Sequence, residues 1–361
     1  MTSPLVIITP GIVAGSGGVA DHTLALLREW SPLQNLTLLV ATSGKVAHQW
    51  SETVRPLDQT SDAIFAQLPS NGGRVFVQYS AYGFNRFGYP RDLIRALVQW
   101  KKRAGRQLVI MFHEIWTFWP FTNKNFIIQQ LHRRALRQLI KVCDSVFTTT
   151  SSQAEYLRRL NNASVHVVPA GSNVPRQSSN GATRTDKWAA LFGLQNTRVR
   201  ALEHMRKSLT ALGAANQITR IICLGSGTDT NMARREREML SRLNLSEGFA
   251  QHGTLDPDDV SEVLNSVSFG VFGQNELSCT KSGSFMAYAA HQLCVLADFA
   301  NPSKPPPVCW LVAPNEILSG IEPRELQRRA ECLRMWQEQN CSWKVIANKI
   351  GSVLAIESSA T

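Results

Sequence analysis

A chain of 361 residues is long enough for two domains, and 43% hydrophobic against 18% charged residues excludes a disordered or low-complexity chain. The seven cysteines are scattered, odd in number and without a CxxC pair, which excludes a disulfide framework or zinc site and points to reduced thiols in a cytoplasmic protein. The net charge of +11 is uneven: residues 1–176 carry 19 Lys and Arg against 9 Asp and Glu, and residues 177–361 carry 19 against 18.

The N-terminal MTSPLVIITPG lacks a basic flank and a long apolar core, so it reads as a first strand and not as a signal peptide. No apolar run approaches the ~20 residues of a membrane span. Strands are expected at Leu5–Thr9, Leu36–Ala41, Val75–Gln78, Leu108–Phe112, Ser145–Thr149 and Val165–Val168. Helices are expected between them at Asp21–Trp30, Arg91–Arg103, Phe126–Lys141 and Ala154–Leu160. Apolar strands separated by helices imply a parallel sheet covered on both faces. The Pro-, Gly- and Ser-rich stretch Pro169–Arg184 reads as a linker, after which the pattern restarts. Strands follow at Ala189–Gly193, Ile218–Leu224, Phe249–His252, Val267–Phe272 and Leu293–Ala297. Helices are expected near Leu202–Leu212, Asn231–Leu243, Asp258–Leu264, Glu325–Glu338 and Ser342–Ile356. The domains expected are 1–175, 176–335, and a closing helical segment 336–361.

The stretch Glu276–His291 (ELSCTKSGSFMAYAAH) is where chemistry concentrates. Polar and small residues run into an alanine-rich segment without Pro or Gly, as a loop entering a helix does, with Thr280 or Ser282 able to cap the first turn. Unpaired N–H groups at such a start, beside Lys281, suit a phosphate or diphosphate. The plainer reading is a buried helix with a serine cap.

Gly15-Ser16-Gly17-Gly18 follows the first strand, and Gly225-Ser226-Gly227 follows a strand of the second half. A dinucleotide site would need an acid at the end of the next strand to hold the ribose. That strand ends Leu39-Val40-Ala41-Thr42-Ser43 in the first half, and no acid closes the run at His252 in the second, which argues against NAD. Met111-Phe112-His113-Glu114-Ile115-Trp116 puts an imidazole and a carboxylate directly after a strand. His113 can donate to a sugar hydroxyl or leaving oxygen, and Glu114 can accept from an acceptor hydroxyl. Trp116, Phe118, Trp119 and Phe121 suit a floor for a sugar ring or lipid chain, and Asp21 and His22 are weaker candidates of the same kind. A structural His–carboxylate pair over an apolar core is the alternative. Two basic clusters, Arg95–Arg106 and Arg133–Lys141, make an anionic bilayer or an acidic acceptor candidate partners, against a merely solvated face. No RNA- or DNA-binding motif is present, so nucleic acid is not an expected partner.

Taken together, these residues resemble the GT-B glycosyltransferases, in particular the retaining family 4-like group that builds bacterial polysaccharides and glycolipids. The likeness is carried by GSGGVADHTLALL (15–27), VQYSAYGFNRFGYP (77–90), MFHEIW (111–116), SVFTTTSSQAEYL (145–157) and VHVVPAGSNVP (165–175). It continues through RIICLGSG (220–227), HGTLDPDDVSEVLNSVSFGVF (252–272), TKSGSFMAYAAH (280–291) and SWKVIANKI (342–350). The resemblance implies an α/β chain with two Rossmann-like doubly wound domains facing a cleft, the last helix crossing back to the first domain. It puts the acceptor on the first domain and the donor on the second.

Carried over by position, His113 is the catalytic candidate beside the transferred sugar; Glu114 and Asp21 join it as catalytic candidates from their places after a strand and inside the glycine turn. The donor-binding candidates are Gly17, Gly18, Arg198, Arg200, Gly225, Glu276, Lys281, Ser282, Gly283 and Ser284. One departure stands out. The common pattern has two glutamates separated by seven residues, whereas here Glu276 is followed at that distance by Ser284, as in a subset with Lys-Ser-Gly at this turn.

The implied reaction moves a sugar from a nucleoside-diphosphate sugar to a saccharide or lipid-linked acceptor, with retention. The diphosphate would lie against Lys281, Gly283 and an arginine, which neutralise the leaving group. No metal or other cofactor is expected, since those groups supply the positive charge and no DxD motif is present. A catalytically inactive GT-B subunit that binds or scaffolds is the rival reading, and a sugar-nucleotide epimerase on the same fold is a further one. The expected setting is cytoplasmic, at the inner face of the membrane where lipid-linked acceptors reside.

Overall fold

The computed structural model describes residues 3–13, 17–30, 35–42, 53–115, 121–123, 125–160, 163–177, 184–227 and 229–356. The chain divides into two units, residues 1–169 with 343–361 and residues 170–342. The division falls at Pro169/Ala170 instead of 175/176, and the segment 336–342 belongs to the second unit instead of the closing helix.

In the first unit, β1 (Leu5–Thr9) leads to α1 (Gly18–Glu29), β2 (Leu36–Val40), β3 (Val54–Pro56) and α2 (Ser61–Gln67). Next come β4 (Gly73–Tyr79), α3 (Ala81–Phe84), α4 (Arg91–Lys101), β5 (Arg106–Phe112), α5 (Phe126–Val142), β6 (Ser145–Thr148), α6 (Ser151–Arg158) and β7 (Ser164–Val167). All strand pairs are parallel, in the order β3-β2-β1-β4-β5-β6-β7. β1 is apolar at four of its five positions and buried at all of them, because both faces of the sheet are covered. Its residues alternate between two cores. Val6 and Ile8 pack with Leu93, Leu97, Trp100 and Leu136 of α4 and α5. Leu5 and Ile7 join Leu24 and Leu27 of α1, together with Ile346, Ile350 and Leu354 near the C-terminus.

The second unit runs β8 (Thr185–Phe192), α7 (Gln195–Ala214), β9 (Arg220–Leu224), α8 (Thr230–Leu240), β10 (Phe249–Gln251), α9 (Pro257–Ser266) and β11 (Val267–Val271). A 3-10 segment (Glu276–Lys281), α10 (Gly283–Ala290), β12 (Cys294–Leu296), α11 (Pro314–Leu318) and α12 (Pro323–Cys341) complete it. Its parallel strands lie in the order β10-β9-β8-β11-β12. The last helix, α13 (Trp343–Val353), belongs to the first unit, where Trp30 Nε1 donates to Ala347 O at 3.0 Å. Burying Ile346, Ile350 and Leu354 there contributes roughly 5 kcal/mol or more.

Both sheets are doubly wound: each begins at a central strand, runs outward one way, then restarts on the other side of that strand. The reversal falls between β1 and β4 in the first unit and between β8 and β11 in the second. Such switch points leave a crevice beyond the carboxyl ends of the strands, where α/β proteins hold ligands. None of the seven cysteines forms a disulfide, and no described helix is long and apolar enough to cross a membrane.

Candidate functional site

In the second unit the switch point is built around α10. Gly270 on β11 has no side chain because the Tyr288 ring fills that space; an added Cβ would sit 2.6 Å from it. The buried Tyr288 hydroxyl accepts from Phe192 N–H at 2.6 Å and donates to Val271 O at 3.4 Å, tying the ends of β8 and β11 together. Burial holds that hydroxyl in its neutral form, its pKa well above the phenol value despite the nearby Arg198 cation.

This anchoring fixes where α10 begins. Ser282 is its N-cap, with Oγ accepting from Phe285 N–H at 3.3 Å and from Gln274 Nε2 at 3.5 Å. The amides of Gly283 and Ser284 have no partner among the described residues. Lys281, the last residue of the 3-10 segment, is exposed and makes no hydrogen bond or ion pair among them. Glu276 lies at the other end of that segment and pairs with Lys304 at 3.4 Å. Ser284 stands over Gly193, whose φ of +143° and lack of a Cβ permit the approach; a Cβ would be 3.0 Å from Ser284 Oγ. A void of about 10 Å³ lies among Phe192, Thr197, Gly273, Gln274 and Ser284, room for one water at most.

In this unit one expectation is corrected, and a second residue is given a structural reason. Arg198 does not face a ligand. It is 4% exposed, forks onto Glu236 at 2.6 and 3.1 Å, and turns Nη1 to the carbonyls of Gly193, Leu224 and Gly225 at 2.6, 3.2 and 2.9 Å. Its guanidinium closes the carboxyl ends of β8 and β9 and is committed to the fold. Gly225 is part of the same construction: φ is +114°, and a Cβ would meet Gly193 O at 2.3 Å. Its glycine is required by backbone packing, which a ligand need not explain. Arg200, two residues on, points from the opposite side of α7 and is exposed.

In the first unit the switch point gathers α1, β4 and the end of β5. Gly17 precedes α1 as an N-cap without a side-chain bond, and neither Gly17 nor Gly18 has an atom of a described residue outside its chain neighbours and its own helix backbone within 4 Å of where a Cβ would stand. Asp21 sits half-buried in the first turn of α1. His113 follows β5, with its backbone N–H bonded to Tyr79 O at 3.1 Å. Its side chain pairs with Gln78, not with Glu114: His113 Nε2 is 2.6 Å from Gln78 Oε1. Glu114 projects into solvent and makes no bond among the described residues. Gln78 Nε2 in turn lies 3.2 Å from His22 Nδ1. The two imidazoles stand edge to face with centroids 4.8 Å apart, and Trp343 packs edge to face on His22 at 5.1 Å.

Burial lowers His113 to about 4, and it lowers His22 well below the usual histidine value with help from the neighbouring His113. Both are neutral at physiological pH. Gln78 escaped sequence reading because strand β4 looks like ordinary core; its one signal was a lone amide in an apolar run, VFVQY. Of the expected aromatic floor, Phe121 is 82% exposed, while Trp116, Phe118 and Trp119 lie outside the described residues. Gly15 and Ser16 lie outside them too.

No group of three or more His, Cys, Asp or Glu that could hold a metal ion occurs among the described residues. A groove of about 1020 Å³ lies in the first unit along α2, α4 and α5, and none of the expected catalytic or donor-binding residues lines it. Arg91, Arg95, Lys102 and Arg134 line it, with Asp62 and Asp92.

No family model matches the chain, and no curated protein matches it in sequence. Solved structures do match in fold over almost the whole length. Anabaena HepE in complex with UDP and glucose aligns at a TM-score of 0.66 and 10% identity, covering 98% of this chain and all of that one. Sucrose-phosphate synthase from Thermosynechococcus elongatus gives 0.66 and 12%, with 98% of each chain covered. A glycosyltransferase from Rickettsia africae gives 0.69 and 11%, with 99% of each covered. The fold is therefore that of the GT-B glycosyltransferases, with two Rossmann-like units.

Proposed function

We propose that this chain is a glycosyltransferase that moves a sugar from a nucleoside-diphosphate sugar to a saccharide or lipid-linked acceptor, with retention, in bacterial polysaccharide or glycolipid synthesis. The observation that carries the reading is the start of α10, where an unengaged lysine stands beside two amides without partners. A diphosphate satisfies all three, and the helix dipole adds to the attraction. With Arg198 committed to Glu236, Lys281 is the side chain left to neutralise the leaving phosphate. In this reading Gly283 and Ser284 supply amides, Ser282 holds the turn, and Arg200 has no role. In the first unit His113 meets the transferred sugar, Gly17 and Gly18 leave room for the donor, and Glu114 and Asp21 serve the acceptor. No metal is needed for the neutralisation. The fold shared with a protein solved with UDP and glucose supports a nucleotide sugar as the donor.

Lys281→Ala tests the reading. Loss of one charge-assisted contact of about 1.5–3 kcal/mol predicts a roughly 10- to 150-fold fall in kcat/KM with an unshifted melting temperature. Undiminished transfer by the variant refutes it. A thermal-shift screen of UDP-, GDP-, ADP- and dTDP-sugars identifies the donor.

The alternative is a GT-B subunit that binds without catalysing, favoured by Ser284 at the position of the usual glutamate and by the sequestered Arg198. Turnover of any labelled nucleotide sugar by the purified chain decides against it.

The basic groove on α2, α4 and α5, with Ile127 and Leu131 exposed on α5 nearby, supports peripheral docking on an anionic membrane at the cytoplasmic face. Binding to anionic liposomes that weakens as salt is raised is expected, and no binding at low salt refutes it.

A further inference from the structure

We propose that Gln78 and His22 are positioning residues that fix the proton of His113 on Nε2, so that Nδ1 is presented as a hydrogen-bond acceptor to a hydroxyl of the bound sugar. The inference rests on the reading of His113 as the residue that meets the transferred sugar.

The geometry is a three-membered relay. Gln78 is fully buried on β4, and its amide is enclosed between two rings. Its oxygen lies 2.6 Å from His113 Nε2, so that nitrogen must carry a proton and donate it. Its nitrogen lies 3.2 Å from His22 Nδ1, so that atom must be bare and accept. A neutral His22 then carries its proton on Nε2, a buried atom with no hydrogen-bond partner. One amide therefore couples the tautomers of both rings: rotating it by half a turn reverses the proton on each. The depressed basicity of both imidazoles fits, because neither is charged at neutral pH and each holds a single ring proton.

The consequence is chemical. His113 Nδ1 makes no hydrogen bond among the described residues, and in this tautomer it offers a lone pair. It recognises a group that donates, such as a sugar hydroxyl, and cannot protonate a leaving oxygen. Trp343, packed on the far side of His22, keeps that ring from turning away. The His22 tautomer is thereby part of the specificity of a residue it does not need to touch the substrate to influence.

Long-range ¹H–¹⁵N spectra of the full chain, labelled on histidine and recorded at pH 7.5 without sugar, read each tautomer directly. The expected wild-type spectrum has Nε2 protonated and Nδ1 bare on both His22 and His113, with the two assigned by His22→Gln and His113→Gln. Protonation of His113 on Nδ1 overturns the proposal. Gln78→Glu sharpens it, because a carboxylate can only accept. His113 then keeps its Nε2 proton while His22 moves its own to Nδ1. In Gln78→Leu, His113 shows both tautomers averaged. Should Gln78→Leu not fold, the wild-type and Gln78→Glu spectra still decide. A purely structural Gln78 would change stability in these variants and leave every ring proton where it was, which also overturns the proposal. Because the tautomers are read without any sugar, this failure is separate from that of the transferase reading, which Lys281→Ala tests.

Discussion

Replacing Arg198 with alanine separates a structural guanidinium from a ligand-binding one. The substitution removes two contacts to Glu236, at 2.6 and 3.1 Å, and one nitrogen shared by three carbonyls. Glu236 is 1% exposed and would keep Gln251 Nε2, at 3.1 Å, and the Cys223 thiol, both neutral groups that cannot offset its charge. Breaking a buried pair on one side costs about 3–5 kcal/mol, since the remaining charge is left without its partner. With a urea m-value of roughly 2 kcal/mol/M, the transition of the second unit should fall by about 1.5–2.5 M. Equilibrium urea unfolding followed by tryptophan fluorescence measures this, and the transition of the first unit serves as the internal reference. Arg198→Met with Glu236→Leu should recover a large part of the loss, because an apolar pair leaves no buried charge behind. An Arg198→Ala protein with an unchanged urea midpoint and a hundredfold weaker nucleotide-sugar affinity would refute the assignment, and would place the guanidinium at the donor.

Acidification should weaken the first unit more than the second. His132, 3% exposed, is held at about 4 by burial, against an unfolded value of about 6.5. As pH falls through 6.5 the unfolded chain takes up a proton that the fold refuses, so the contribution is fully present above pH 6.5 and lost toward pH 4. From pH 7.5 to 5 that loss is about 2 kcal/mol for His132, with His22 and His113 adding to it in the first unit and His291 alone in the second. A first-unit midpoint that does not move between these pH values refutes the argument. Gly225→Ala should destabilise the second unit by 2 kcal/mol or more, on the order expected of a side chain forced into positive φ against a carbonyl, and a neutral result by thermal denaturation would show that the β9–α8 turn yields.

The elements of this fold were legible wherever a local pattern decides them. The apolar runs of β1, β5, β6 and β11 read directly as buried strands, and of the two caps expected, Thr280 or Ser282, the structure uses Ser282, because capping depends on residues three apart. Where long-range pairing decides, the sequence was silent. Helix α7 begins at Gln195, well before the expected Leu202, because its first turns are polar and its buried Arg198 looks like any surface arginine. Nothing near Arg198 announces Glu236, 38 residues away, which supplies the opposite charge its burial requires. The same holds at Gln78, whose partners come from α1 and from the end of β5. Short β3, half-exposed at Val54 and exposed at Arg55 and Pro56, carries no apolar pattern and was missed for that reason.

Two of these misses, Arg198 and Gln78, share a cause that bears on function. Each is a polar group drawn inside at the carboxyl end of a strand, where a parallel sheet leaves carbonyls and amides unpaired. A fold of this kind must supply partners there, from its own side chains or from a ligand. In the second unit Arg198 closes the β8–β9 ends from within, which leaves the start of α10 as the place where backbone donors and a cation remain unmatched. In the first unit Gln78 satisfies two imidazoles and leaves one nitrogen of His113 over. Among the described residues, the groups left over at these two places are a cationic donor set in one unit and a neutral acceptor in the other. Phosphate oxygens would complement the first, and a hydroxyl would complement the second.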